Sequence, residues 1–348
     1  MKKIISLMAI IGALMIISCG SGKSDKDSDN NSDQTDTNET ETLNDSENPD
    51  SDTPAGSQKY RIAGFVQKGP FVQGSEIRIQ ELDNSLVPIG TSCTTSTNDD
   101  FGSFDIAKEL SSNFVEVTAS GFYFNEVNGV LSNAPINFRV IADLSENKPV
   151  NINILTTIER ERIKTLISEG KSFTEARRQA ETEILSIFNI KDVKTESFQE
   201  MDISKDGDTN AILLAISAIL QYSNSEAELS ELISKITQDI KTDGTLDGAA
   251  LRKVITENNK SLDPANLAYI RTNIESRYED LGLGEITIPQ FEDFVDSDGD
   301  TLINRYDFTA LFAAVNNGDL NTKYTSNEIN VVLPPEATDA NATFDSGT

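Results

Sequence analysis

The 348-residue sequence predicts a multidomain α+β protein: an antiparallel β-sandwich followed by an α-helical bundle, behind a disordered N-terminal tether. Three observations predict it. Apolar residues alternate with a period of two between Tyr60 and Asn147. From Val150 to Gly284 the period becomes helical, with N-cap signatures between the apolar runs. Before both, residues 20–58 carry Leu43 as their one large apolar side chain, too little to offset the entropy of ordering.

The chain opens with Lys2-Lys3, an almost wholly apolar run from Ile4 to Ile17, then Ser18-Cys19-Gly20. A charged start, a short apolar core and small residues at its end make a secretory signal peptide over residues 1–19. The run is too short to span a bilayer comfortably. Its Ile17-Ser18-Cys19 ending resembles a bacterial lipobox. The resemblance implies that Cys19 is lipidated, becomes the first mature residue and holds the protein to a membrane by acyl chains. It places the protein in the bacterial cell envelope, as an outer-membrane lipoprotein that is periplasmic or surface-exposed.

Residues 20–58 then form an acidic linker with a reach of roughly 35 Å, lengthened by self-repulsion. Its acid-rich start, Ser24-Asp25-Lys26-Asp27, resembles surface-export signals that follow the lipidated Cys in some Gram-negative bacteria. Gly20-Ser21-Gly22-Lys23-Ser24 has the end of a phosphate loop but lacks the upstream Gly and a preceding strand, so it belongs to the linker.

Charge and composition exclude several functions. The formal charge is −28, and removal of Lys2 and Lys3 with the signal makes it −30. Such a chain repels nucleic acid and anionic lipid and attracts cations. It contains no His, which removes Ser-His-Asp and Cys-His catalysis and every His-bearing zinc site. Mechanisms that use carboxylates alone, Ser with Lys, or Tyr stay open. The two cysteines are Cys19 and Cys93; with Cys19 acylated they form no disulfide framework. Cys93, in Thr91-Ser92-Cys93-Thr94, reads as a small, partly buried strand residue.

Residues 59–148 read as the sandwich. Ile77 and Ile79 alternate with Arg78 and Gln80. Val115, Val117 and Ala119 alternate with Glu116 and Thr118; Phe138, Val140 and Ala142 alternate with Arg139 and Ile141. Gly and Asn-Asp clusters punctuate these runs, as turns between short strands require. The pattern Gly64-Phe65-Val66, Gly69, Gly74-Ser75-Glu76-Ile77-Arg78-Ile79, Thr97-Asn98-Asp99-Asp100-Phe101-Gly102-Ser103-Phe104 and Val115–Phe122 resembles the carboxypeptidase-regulatory-like, transthyretin-like sandwich. The resemblance covers about a quarter of the chain. It implies a spacer or binding module with no catalytic residues of its own.

Residues 149–285 read as a bundle of five or six helices. Ser172-Phe173-Thr174-Glu175 is a capping box ahead of Ala176, Ala180, Ile184 and Phe188 on one face. Asp208 or Thr209 caps the next helix, apolar nearly all round from Ala211 to Leu220 and so a buried central helix. Ser225-Glu226-Ala227-Glu228 is a second capping box, leading into Leu229, Leu232, Ile233, Ile236 and Ile240. Asp263-Pro264 supplies an N-cap and a first-turn proline before the stripe Leu267, Ile270, Ile274, Tyr278 and Leu281, which Gly282 ends. Together with Gly121–Glu126 and Val150–Thr156, the whole arrangement resembles a group of bacterial lipoproteins, a likeness that implies architecture rather than chemistry.

Residues 286–316 hold the one stretch with ligand spacing, Asp296-Ser297-Asp298-Gly299-Asp300-Thr301-Leu302-Ile303-Asn304-Arg305-Tyr306-Asp307. Side-chain oxygens at positions one, three, five, nine and twelve suit a Ca2+ ion, which takes six to eight oxygens in flexible geometry. The expected ligands are Asp296, Asp298, Asp300, Asn304 and Asp307, with the backbone carbonyl of Leu302 at position seven. A helix with Phe308, Leu311 and Phe312 on its apolar face follows. The unit resembles half of a dockerin repeat and the acidic repeats of bacterial adhesins, departing from them in Thr301 at position six, where Gly is usual. A dockerin carries two such loops and this chain one. Asp206-Gly207-Asp208 is similar in outline, but Leu213 fills its twelfth position, so it reads as a helix cap. Residues 317–348 form a mostly irregular tail.

The expected role is that of a lipid-anchored envelope or surface protein with a non-catalytic binding, adhesion or scaffolding function. Its expected partners are the membrane, through the anchor, and a surface glycan or protein. The alternative is an accessory or degradative surface enzyme acting on polysaccharide or protein. Carboxylate pairs could serve it, although no Trp is present to line a sugar cleft.

Overall fold

The computed structural model describes residues 57–191, 193–282, 286–299 and 303–305. They have mixed α+β content: antiparallel sheets and six α-helices. Residues 1–56, with the signal, Cys19 and nearly all of the linker, lie outside the described residues. So do Asp300, Leu302, Asp307, the helix expected from Phe308 and the 317–348 tail.

The strands are β1 (Gln58–Gln67), β2 (Glu76–Leu82), β3 (Pro88–Ser96), β4 (Ser103–Leu110), β5 (Phe114–Gly121), β6 (Phe124–Asn125), β7 (Val130–Leu131), β8 (Ile136–Asp143) and β9 (Ile152–Asn153). One sheet has the order β3-β2-β5-β8 and is antiparallel throughout. In a second, β1 pairs antiparallel with β4 and, through Val66 and Gln67, in parallel with β9. A small hairpin joins β6 to β7.

Alternation places one face of each strand inside. Ile77 and Ile79 are buried while Glu76 and Arg78 are exposed; Val115, Val117 and Ala119 are buried while Glu116 and Thr118 are half-buried. Cys93 on β3 is buried, more deeply than the sequence suggests. Ile141 departs from the reading that pairs it with Arg139. It is buried too, in a second apolar cluster with Leu82, Leu86, Ile163, Leu166, Phe173, Ala176 and Ala180. The outer face of β8 is covered by helices at Ile141, while Asn137 on the same face stays exposed and Arg139 half-exposed.

The helices are α1 (Ile154–Ser168), α2 (Phe173–Ile187), α3 (Asp208–Gln221), α4 (Glu226–Ile240), α5 (Ala249–Ser261) and α6 (Pro264–Asp280). Ser172 and Glu175, then Ser225 and Glu228, make the reciprocal bonds of capping boxes, and Asp263 accepts from the Asn266 amide ahead of Pro264. A third box, between Asn153 and Thr156, starts α1 directly from β9. α3 starts differently from the sequence reading. Gly207 is its N-cap, without a side-chain cap, and Asp208 lies inside the first turn, where Arg305 takes both of its carboxylate oxygens at 2.6 and 2.7 Å.

Every residue of α3 from Ala211 to Leu220 is at most 1 % exposed. The main apolar cluster runs without a break from Ile62 on β1, through α3, to Ile303. Its strand side includes the ring contacts of Phe71 with Tyr123 and Phe138. No described helix is long and apolar enough to cross a membrane.

Candidate binding cleft and acidic loop

Two regions carry polar groups in arrangements that bear on function. The first is the loop at Asp296, which follows a 3-10 turn over Phe291–Phe294. Asp296 is nearly buried. Its amide donates to Asn259 Oδ1 on α5 at 3.3 Å, and its Oδ1 accepts from the Gly299 amide at 2.8 Å. Gly299 has φ of +75°, so the loop's glycine stands at position four for reasons of conformation. Asn304 closes the turn: its amide donates to the Val295 carbonyl at 2.7 Å and its Nδ2 to the Glu292 carbonyl at 2.8 Å. Its Oδ1 accepts from Ser297 Oγ at 2.9 Å.

Of the expected calcium ligands, the loop thus brings Asp296 and Asn304 to the two ends of one turn, with Asp298 between them. Asp300, Leu302 and Asp307 are outside the described residues. Among the described residues no three Asp, Glu or Cys side chains converge as a metal cluster. Arg305, next to Asn304, is 4.6 Å from the Phe294 ring centre and ties the loop to α3 through Asp208. That pairing holds the Asp208 carboxyl below its usual range.

The second region is a cleft of about 330 Å³ where β8, α1 and α4 meet. β8 contributes Asn137 and Arg139, two apart on one face; α1 contributes Thr157 and Arg160; α4 contributes Ser230, Ile233, Ser234, Thr237 and Gln238 at helical spacing. Arg139, Arg160 and Lys164 converge on Glu116 of β5, at 3.4, 3.1 and 3.1 Å. Burial opposes ionisation of Glu116, but Arg160 and Lys164 outweigh it and hold its carboxyl below the usual value. Arg160 also pairs with Glu161 at 2.9 Å, while its Nε is buried without a hydrogen bond. Three cations and two carboxylates leave a net positive spot on a strongly acidic protein.

Thr157 accepts from the Arg139 amide, and Ser230 and Thr237 donate to carbonyls of their own helix. Asn137, Ser234 and Gln238 are exposed. Sequence reasoning saw Arg139 only as the polar member of a strand. Nothing local signals that it meets α4, whose residues lie about ninety positions further on.

No protein-family model, curated protein or solved structure matches this chain.

Proposed function

We propose that this chain is a lipid-anchored protein of the bacterial cell envelope that binds a ligand without transforming it. The anchor rests on the Lys2-Lys3, apolar run and Cys19 sequence. In this reading the strands form a regulatory-like sandwich and the helices a bundle, carried clear of the membrane by the acidic linker. The observation that carries the binding role is the cleft between β8, α1 and α4, where two guanidinium groups, side-chain amides and hydroxyls line one concave surface. Its size is at the small end of ligand sites. Planar, multidentate donors of this kind suit carboxylates, so the ligand class is a surface glycan that carries carboxylate groups.

The test is titration with uronate-bearing oligosaccharides. Arg139, half-exposed, can be changed with little risk to the fold. Arg139→Gln removes charge-assisted hydrogen bonds of about 1.5–3 kcal/mol each, so affinity is expected to fall at least tenfold and its salt dependence to flatten. Wild-type protein that binds no acidic or neutral oligosaccharide would overturn the reading.

The loop from Asp296 to Asp307 is proposed as a Ca2+ site with Asp296, Asp298, Asp300, Leu302, Asn304 and Asp307 as ligands. Asp296 and Asn304 already brace the turn, which supports the assignment. With Thr301 where glycine is usual, the expected affinity is on the order of 10⁻⁴–10⁻³ M, as in extracellular modules. EDTA should lower the melting temperature. Calcium should restore it better than magnesium, and the stabilisation by calcium should reach about 2.7 kcal/mol only where its free concentration is a hundred times the dissociation constant. Asp300→Ala should abolish the response, because it removes a ligand. Absence of both heat and thermal shift in wild-type protein at millimolar calcium would leave the loop as an acidic turn.

A further inference from the structure

Where β1 ends against α3, two charged side chains are wholly enclosed. Lys68 and Glu126 are each 0 % exposed, with Nζ 2.7 Å from Glu126 Oε1. Glu126 is held on both oxygens: Ser217 Oγ of α3 donates to Oε1 at 2.9 Å, and the Gly69 amide donates to Oε2 at 3.1 Å. Gly69 has to be glycine for this approach, because a Cβ would strike the Phe124 carbonyl oxygen. Lys68 is held less well. Among the described residues, Glu126 Oε1 is the one oxygen to which Nζ donates, and the Tyr123 ring centre lies 5.2 Å away. An ammonium group has three N–H donors, so two of them have no oxygen acceptor here.

We propose that Lys68 and Glu126 condense into an intramolecular amide bond. An N–O contact of this length leaves Nζ about 3–3.5 Å from the carboxyl carbon, the separation of a near-attack pair. Burial works in the same direction. Desolvation pulls the Lys68 amine below its usual value, against the attraction of Glu126. Transfer of one proton inside the pair gives a neutral amine and a neutral acid. Nζ then attacks the Glu126 carboxyl carbon, and the negative charge develops on Oε2, where the Gly69 N–H already points. The nitrogen–carbon bond forms and the carbon–Oε1 bond breaks. Oε1 departs as water with the proton lost from nitrogen, assisted by the Ser217 hydroxyl. No oxidant, reductant or co-reactant is needed. Condensation also removes two charges from an interior where each costs several kcal/mol to keep. The product ties the end of β1 to the turn after β6, a covalent brace in a chain with two cysteines, one of which is the expected lipid site.

The test is an intact mass spectrum of the folded wild-type chain, followed by tryptic mapping. The expected mass is short by one water. Cleavage after Lys68 should be blocked, and residues 62–78 should appear joined to residues 109–139 in one branched peptide. Lys68→Met should restore the mass expected from its sequence. Folded wild-type protein at full mass, cleaved freely after Lys68, would overturn the proposal whatever the behaviour of the variant. So would a missing water that maps to Asp206-Gly207, Asp243-Gly244, Asp247-Gly248 or Asp298-Gly299, since aspartyl-glycine pairs lose water on their own.

Discussion

Leu214→Ala is expected to lower the unfolding free energy by about 2–5 kcal/mol, the range for a large side chain deleted from a packed interior. Leu214 is 0 % exposed in the middle of α3, and α3 belongs to the same apolar cluster as Ile62, Phe71 and Phe138 of the strand region. The cavity therefore weakens both kinds of element. The strands and helices should unfold in one transition, displaced by the same amount whether it is followed by far-ultraviolet circular dichroism or by tyrosine fluorescence. The tyrosines serve because Tyr123 lies against the strands, donating to Gln221 of α3 at 2.7 Å, while Tyr278 lies on α6. Two separated transitions, with the strand signal unmoved, would mean that the helices fold on their own.

The second large effect has the opposite sign. Glu159 of α1 is 1 % exposed, and both of its carboxylate oxygens are buried without a hydrogen bond. Desolvation, and then the nearby Glu181, push its pKa well above the usual carboxylate value; Arg177 opposes this. Arg177 is otherwise engaged, bound to Glu146 at 2.7 and 2.8 Å and set 5.1 Å from the Phe173 ring centre. The folded protein thus keeps a proton on Glu159 that the unfolded chain releases above about pH 4.5. Stability is therefore lost as pH rises from the unfolded pKa to the folded one, by about 1.4 kcal/mol per unit. Glu159→Gln keeps the shape of the protonated acid and removes that slope. It should match wild type near pH 4 and exceed it increasingly toward pH 7, measured by urea unfolding at each pH. Glu181, also raised by its burial, remains in both proteins, so the difference between them reports Glu159 together with its coupling to Glu181. A variant less stable than wild type at neutral pH would mean that Glu159 is ionised and paired.

What the sequence discloses here is what is local. An N-cap bonds three residues ahead, so Ser172 with Glu175 and Ser225 with Glu228 can be read directly, and so can Asp263 before Pro264. The same rule applies to Asn153 and Thr156, but that pair falls at the start of the stretch read as helical from Val150, and it is in fact where the short strand β9 hands over to α1. Asp208 misleads because the arginine that claims it, Arg305, is 97 residues away. Ile141 misleads because period-two alternation says which side of a strand a residue takes, and not whether a helix covers that side. The acidic loop is legible as spacing, and its anchoring through Asn259 is not. The cleft is the least legible feature, since β8, α1 and α4 each contribute residues that look like ordinary solvated positions. The Lys68–Glu126 pair escapes for the same reason: two charged residues 58 apart give no sign of burial until α3 closes over them.

The proposed envelope role depends first on the lipid anchor. Mass spectrometry of the mature N-terminus, on protein extracted from the membrane fraction of expressing cells, tests it most directly. The predicted N-terminal residue is Cys19 carrying acyl chains, and Cys19→Ser should leave the protein either unprocessed or free of the membrane. An unmodified N-terminus at any residue other than Cys19 would contradict it.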